Sequence, residues 1–288
     1  MSILEDLKLE FKIGDISIKI IMICIFTFLI SIPFFYDFKR GFFDIPGWLS
    51  LSSDYKESLV FPWTFISYQF FHGGLLHLIG NMFALTFASR HFLTFFTQKQ
   101  LLGVYILGGI FAGIVFVIGY FLLQNVGALI GASASVMAVL VAVTVYQPLM
   151  MVRLPLLGYI KLWYITATII IALDVLNFQL SNTGGHLAHL GGALFGFIYI
   201  KTLQSGTDLT SGFNTVLDRL ANLFSGRKST PFKKVHKNVK SNTVKTTTRV
   251  VTKDKSQQQI DEILDKISQS GYDSLTKEEK EFLFKAGK

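Results

Sequence analysis

Six apolar runs dominate this chain, at about Ile18 to Tyr36, Phe61 to Thr86, Leu101 to Leu123, Ser133 to Val152, Leu162 to Leu180 and Leu187 to Leu203. Each is near the roughly 20 residues a helix needs to cross a bilayer. Hydrocarbon offers no partner to a backbone N–H or C=O, so an apolar run of this kind is stable there as a helix whose bonds close internally. The expected fold is therefore all-α, a polytopic six-helix membrane bundle. With 51% hydrophobic and only 16% charged residues, the composition excludes an ordinary soluble domain. The first run is longer than a signal-peptide core and lacks a small-residue cleavage site, so it reads as the first span. The single cysteine, Cys24, lies inside that run and permits neither an intramolecular disulfide nor a cysteine metal site.

Basic residues set the orientation, because short loops rich in Lys and Arg stay on the cytoplasmic side. Arg90 and Lys99 fall between the second and third runs, Arg153 and Lys161 between the fourth and fifth, and the segment after Lys201 is strongly basic. Loops three-to-four and five-to-six carry no Lys or Arg. Both termini are thus expected in the cytoplasm, with a bacterial inner membrane as the expected location. The second, fourth and sixth runs then all enter from the outer face, and their first turns lie at one level.

The unusual polar residues gather at that level: His72, His77 and Asn81, then Ser133 and Ser135, then His186 and His189. Polar groups at membrane depth are costly unless paired or facing a wet cavity, so a convergent set is a candidate site. A neutral imidazole can take the proton of a serine hydroxyl and make it a nucleophile. The oxyanion that follows needs preformed donors, which an Asn amide, a second imidazole or a backbone N–H at a helix start can supply.

"HGGLLHLIGN" (His72 to Asn81), "GASAS" (Gly131 to Ser135) and "GGHLAHLGGALFG" (Gly184 to Gly196), in this order, resemble the signatures of the rhomboid family of intramembrane serine proteases. The resemblance covers about residues 15 to 203. It implies Ser133 as nucleophile and His189 as general base in a dyad without a third member. It implies His77 and Asn81 as oxyanion stabilisers together with the Ser133 N–H, and a structural role for His72. Four residues apart, His77 and Asn81 share a helical face. The substrates implied are transmembrane proteins cut near the outer face, and no cofactor or metal is implied. The aromatic first loop, which includes Trp48 and Trp63, would be a partly embedded structural element.

One departure bears on this: Ala134 stands where the family usually has a second glycine. Ser135 competes as nucleophile, although helical geometry turns it about 200° away from Ser133. Taken singly, a membrane serine more often bonds the preceding turn and a membrane histidine more often joins helices. His186 and Asp174 carry those blander readings. Gly192 and Gly196, four apart, form a small-residue stripe that lets two backbones approach, with His189 one turn earlier on the same face. The alternatives from other classes are a non-catalytic rhomboid-like binder of membrane helices and a transporter; no inverted repeat supports the latter.

The expected domains are a cytoplasmic segment 1–17, the six-span domain 18–203, a basic linker 204–255 and a helical hairpin 256–288. From Ser205 to Lys255 there are eleven Lys or Arg against Asp208, Asp218 and Asp254. "FNTVLDRLANLF" (Phe213 to Phe224) reads as an amphipathic helix on the inner leaflet, and the basic remainder as a linker drawn to anionic lipid. No motif supports nucleic-acid binding. In the last segment Ile260, Ile263, Leu264 and Ile267 share a helical face, and Thr276 with Glu279 forms a capping box. So short a hairpin buries little by itself, which makes it either a docking site for a cytoplasmic partner or a tolerated appendage.

Overall fold

The computed structural model describes residues 3–155, 158–175, 183–224 and 255–286. Contacts divide the chain into two compact units, Met1–Lys228 and Ser229–Lys288.

In the first unit a short helix α1 (Ile3–Ile13) leads into α2 (Ile16–Phe35), which Asp15 caps by accepting from the Ser17 and Ile18 N–H groups. A tight hairpin of β1 (Tyr36–Asp37) and β2 (Phe42–Phe43) follows. Next come β3 (Leu51–Ser52), α3 (Tyr55–Val60) and α4 (Thr64–Ser67), the last running into a 3₁₀ turn at Tyr68–Phe70. Beyond a sharp break lies α5 (Leu75–Phe92). Helix α6 (Gln98–Leu123) opens with a capping box of Thr97 and Gln100. Strand β4 (Ala128–Leu129) then pairs back onto β3, ahead of α7 (Ser133–Tyr146). A hairpin of β5 (Met151–Leu154) and β6 (Gly158–Lys161) connects to α8 (Leu162–Ile169), which widens into a π-helical segment at Ile170–Val175. The unit closes with α9 (Thr183–Gln204) and α10 (Thr210–Phe224).

The helical expectation holds for most of the described residues, with three two-stranded sheets added, two of them hairpins. The apolar runs, however, are not six uniform rods. Among the described residues two helices, α2 and α6, are long and apolar enough to cross a membrane. The second run is broken: the helices on either side of Phe71–Gly74 meet at 97°. The fourth run ends as helix at Tyr146, and Met151–Lys161 forms a hairpin instead. Helix α9 is long enough, but five glycines and two histidines dilute its apolarity. Of the fifth run, residues 176–180 lie outside the described residues, and so does the Asp174 side chain.

The shortness of α7 has a physical reason. From Ala134 to Thr144 every residue is buried, because α5, α6 and α9 pack around it. A helix enclosed by protein need not match the bilayer thickness. Its closest neighbour is α9, where a Cβ added to Gly192 would overlap the Ala134 carbonyl and one added to Gly196 the Ala138 carbonyl. The small-residue stripe therefore brings two backbones into direct contact. The aromatic first loop is held just as firmly. Leu51 pairs with Leu129, the Ser53 N–H donates to the Gly127 carbonyl at 2.9 Å, and Trp63 Nε1 donates to the Trp48 carbonyl at 2.8 Å.

The helix expected from Phe213 starts earlier, at Thr210, with Asp208 accepting from the Thr210 N–H at 2.8 Å. It is tied to the start of α6 through Lys99 with Asp218 (2.7 Å) and Gln100 with Asp208 (3.1 Å). This helix thus belongs to the first compact unit, although sequence composition had grouped it with the basic linker. In the second unit α11 (Lys255–Ser270) and α12 (Lys277–Ala286) form the hairpin around buried Ile263 and Leu275. Lys266 donates to Glu279 at 2.9 Å and holds its carboxyl below the usual range, aided by the Thr276 N–H.

A Gly192→Val substitution has nowhere to place its side chain except into the α7 backbone. Overpacking of this kind costs about 1–3 kcal/mol, so the melting temperature in detergent should fall. Gly212→Val on α10, which meets no neighbouring atom, should leave it nearly unchanged.

Candidate active site

The helix starts converge on one cavity. A pocket of about 340 Å³ is lined by His77, Gly80 and Asn81 of α5, by Ser133 and Met137 of α7, and by His189 of α9, with Ile169 of α8 closing one side. All four residues singled out from the sequence therefore face the same space. Gly192 rests on Ala134, so the α9 turn carrying His189 lies beside the α7 turn carrying Ser133.

Ser133 is the first residue of α7, preceded by Ala132, which supplies no side-chain cap. The N–H groups of a first helical turn have no intrahelical acceptor, and at this helix start they border the cavity. Gly131 makes the approach feasible. Its φ of +126° is a conformation that L side chains rarely adopt, and its N–H donates to the Tyr68 carbonyl at 2.9 Å. A Cβ at this position would lie 2.8 Å from His77 Nε2 and 3.7 Å from Ser133 Oγ. The imidazole thus occupies the space a side chain would otherwise take.

The tautomer of His77 follows from its other nitrogen. The Gly73 N–H donates to His77 Nδ1 at 3.4 Å, which makes Nδ1 an acceptor and leaves the proton of the neutral ring on Nε2. Nε2 is the ring atom nearest a Cβ at Gly131, at 2.8 Å. Asn81 is buried and spends one amide N–H on the His77 carbonyl, at 2.9 Å, so its second N–H remains for the cavity it lines. His72 is buried and packs edge-on against His77, with ring centroids 5.2 Å apart. His186 is buried outside the cavity lining, its ring centroid 6.3 Å from that of His189. Among the described residues no three His, Cys, Asp or Glu side chains converge as metal ligands.

The two serines separate cleanly. Ser135 is fully buried, and its hydroxyl donates to Gln69 Oε1 at 2.9 Å on the side facing Gly109. Gln69 is a hub that sequence reasoning missed. Its Nε2 donates to the Phe65 carbonyl at 2.8 Å, and its own carbonyl accepts from Tyr105 at 3.1 Å. The signal was there in "SYQFFH", a lone amide in an aromatic run.

Helices that bring a serine, two histidines and an asparagine into one cavity define the class: a helical membrane protein with a polar cluster in an otherwise apolar cavity. The family model of the Rhomboid domain matches residues 61–205. The chain belongs to the rhomboid family, whose members are generally intramembrane serine proteases. It is 33% identical over 136 residues to presenilin-associated rhomboid-like protein A, mitochondrial, of Danio rerio, covering 46% of this chain and 35% of that protein. Presenilin-associated rhomboid-like protein, mitochondrial, of Homo sapiens matches at 33% over 135 residues, with the same coverage. The match thus spans about a third of the length of these curated relatives. Both are mitochondrial by name, so they lend no support to the bacterial inner membrane expected from the sequence. Residues 250–285 match a family of unknown function, DUF6576.

Gly131→Ala would add both backbone strain of about 1–3 kcal/mol and a methyl at the His77 ring. It should displace the imidazole, so that the His77 side-chain NMR signals shift. Gly80→Ala, with open space at its Cβ, should leave them in place.

Proposed function

We propose that the chain is an intramembrane serine endopeptidase working through a Ser133–His189 dyad on transmembrane protein substrates. The observation that carries this reading is the single cavity lined by Ser133, His189, His77 and Asn81. Its remaining wall is apolar, with Leu76, Ala84, Val136, Met137, Leu140 and Ile169, which suits a membrane segment unwound at one bond.

In this reading His189 takes the Ser133 hydroxyl proton as Oγ attacks the scissile carbonyl. The oxyanion is met by the Ser133 N–H, His77 Nε2–H and the free Asn81 N–H. Collapse expels the amine, which leaves with the proton held by His189, and an acyl-Ser133 ester remains. Water attacks that ester, gives its proton to His189 and frees the acid, and His189 returns the proton to Ser133. Helix-breaking residues near the scissile bond should favour cleavage, because the carbonyl must leave its helical bond.

The remaining expectations belong to the same proposal: six membrane crossings with both termini cytoplasmic, cleavage near the outer face, the basic linker 204–255 on anionic inner-leaflet lipid, and a cytoplasmic partner for the hairpin. The alternative, a non-catalytic binder of membrane helices, accounts for the apolar wall but gives no role to a serine and a histidine in one cavity.

Incubating detergent-purified protein with a transmembrane reporter tests the reading. Ser133→Ala and His189→Ala should each abolish cleavage, and the double variant should be no worse than either, because the pair acts as a unit. Ser135→Ala should keep cleaving. Cleavage that survives Ser133→Ala but disappears in Ser135→Ala would refute the assignment.

Asn81→Ala separates an oxyanion role from helix packing. A preorganised donor is worth about 10²-fold to 10³-fold in turnover, whereas an interhelical membrane hydrogen bond averages about 0.6 kcal/mol of stability. Turnover should therefore fall far more than the melting temperature. Parallel loss of both, or a folded variant with wild-type turnover, would rule the role out.

A further inference from the structure

A second cleft, of about 500 Å³, lies on the other side of the α5 start, between α2, the β1–β2 hairpin and the turn at Gly73–Gly74. It is lined by Phe28, Leu29 and Ile32 of the apolar helix α2 and by Tyr36, Phe38 and Phe43 of the hairpin, with the Phe28 and Phe43 ring centroids 5.1 Å apart. Leu29 and Leu75 are more than half exposed, so the cleft opens sideways onto the surface that faces lipid. At the hairpin turn, between Phe38 and Gly41 of the lining, sit Lys39 and Arg40. Arg40 reaches Asp37 only at 3.6 Å and stays exposed, and Lys39 has no ion pair among the described residues.

We propose that this cleft is a phospholipid site, with an acyl chain against α2 and Gly74 and the phosphate at Lys39 and Arg40. An apolar cleft beside two exposed basic side chains on the adjoining turn matches a phospholipid, whose acyl chains adjoin an anionic phosphate. Gly74 leaves room for the chain: a Cβ there meets nothing within 4 Å, and its φ of 171° is extended backbone that any residue can adopt. The cleft also shares Gly73 with the candidate active site, since the Gly73 N–H holds His77 Nδ1. Under the protease reading, a bound lipid would steady the oxyanion side of the site.

Full-length protein carrying Ser133→Ala, so that proteolysis plays no part, is titrated with phosphatidylglycerol in a phosphate-free maltoside detergent. Retained lipid is counted by native mass spectrometry, and stability is followed by thermal melting. The reference protein should keep a phospholipid and melt higher as lipid is added. Gly74→Leu, which fills the cleft without backbone strain, should lose both effects. Replacing Lys39 and Arg40 together by Ala should weaken binding roughly 30-fold, at about 1 kcal/mol per basic side chain. Unchanged lipid retention and melting in a folded Gly74→Leu would overturn the proposal, as would equal stabilisation by dodecanol, which has a chain and no phosphate. If Gly74→Leu does not fold, the double Ala variant decides, and unchanged affinity in it is equally fatal.

Discussion

Two α-carbons without side chains set the geometry of the site. Gly192 and Gly196 of α9 lie directly on the Ala134 and Ala138 carbonyls of α7. In a membrane, apolar side chains gain little by leaving lipid for protein, so association depends on close packing and interhelical polar bonds. The backbone contact fixes both the distance and the register of the two helices. Ser133 precedes Ala134 by one residue and His189 precedes Gly192 by one turn, so the same contact delivers both side chains to the cavity. A methyl-sized error here would be passed on undiminished, and misplacement of about 1 Å is enough to cost a catalytic pair much of its effect.

Much of this was legible in the sequence because membrane helices advertise themselves by apolarity, and because three polar motifs occur in order on alternate apolar runs. What stayed hidden shares one physical cause: apolarity does not distinguish burial in lipid from burial in protein. The Ser133–Val152 run looked long enough to cross, yet α7 stops at Tyr146 because it is sheathed by neighbours. The Phe61–Thr86 run looked continuous, yet the Gly73–Gly74 turn lets the chain bend sharply between α4 and α5. Gln69 escaped notice because its partners, Ser135, Tyr105 and the Phe65 carbonyl, are drawn from three different helices. Composition likewise hid the role of α10, since one ion pair and one amide contact attach it to α6.

Ala134, the departure from the family pattern, fits the same picture. Its side chain is buried, with 2% exposure, in the cluster that contains Ala112, Phe116 and Ala188, whereas Ser133 lines the cavity. A methyl group at this position is therefore absorbed by packing between α6, α7 and α9. The glycine demanded by the site is Gly131, where both the backbone conformation and the His77 ring exclude a side chain.

The cavity walls are not equally stiff. Helices α5, α7 and α9 contribute it from regular turns, and α9 is locked to α7 by the glycine contact. Helix α8 contributes a single residue, Ile169, and its bonding changes to the wider π-helical pattern at the very next position. One turn earlier, Thr166 shares a buried hydrogen bond of 2.7 Å with Thr144 of α7, which pins the start of α8 and leaves its continuation without that tether. π-helical turns are rare and are often found at functional sites. If a substrate segment must enter between helices, displacing α7 or α9 would part Ser133 from His189, whereas α5 and α8 carry neither of them.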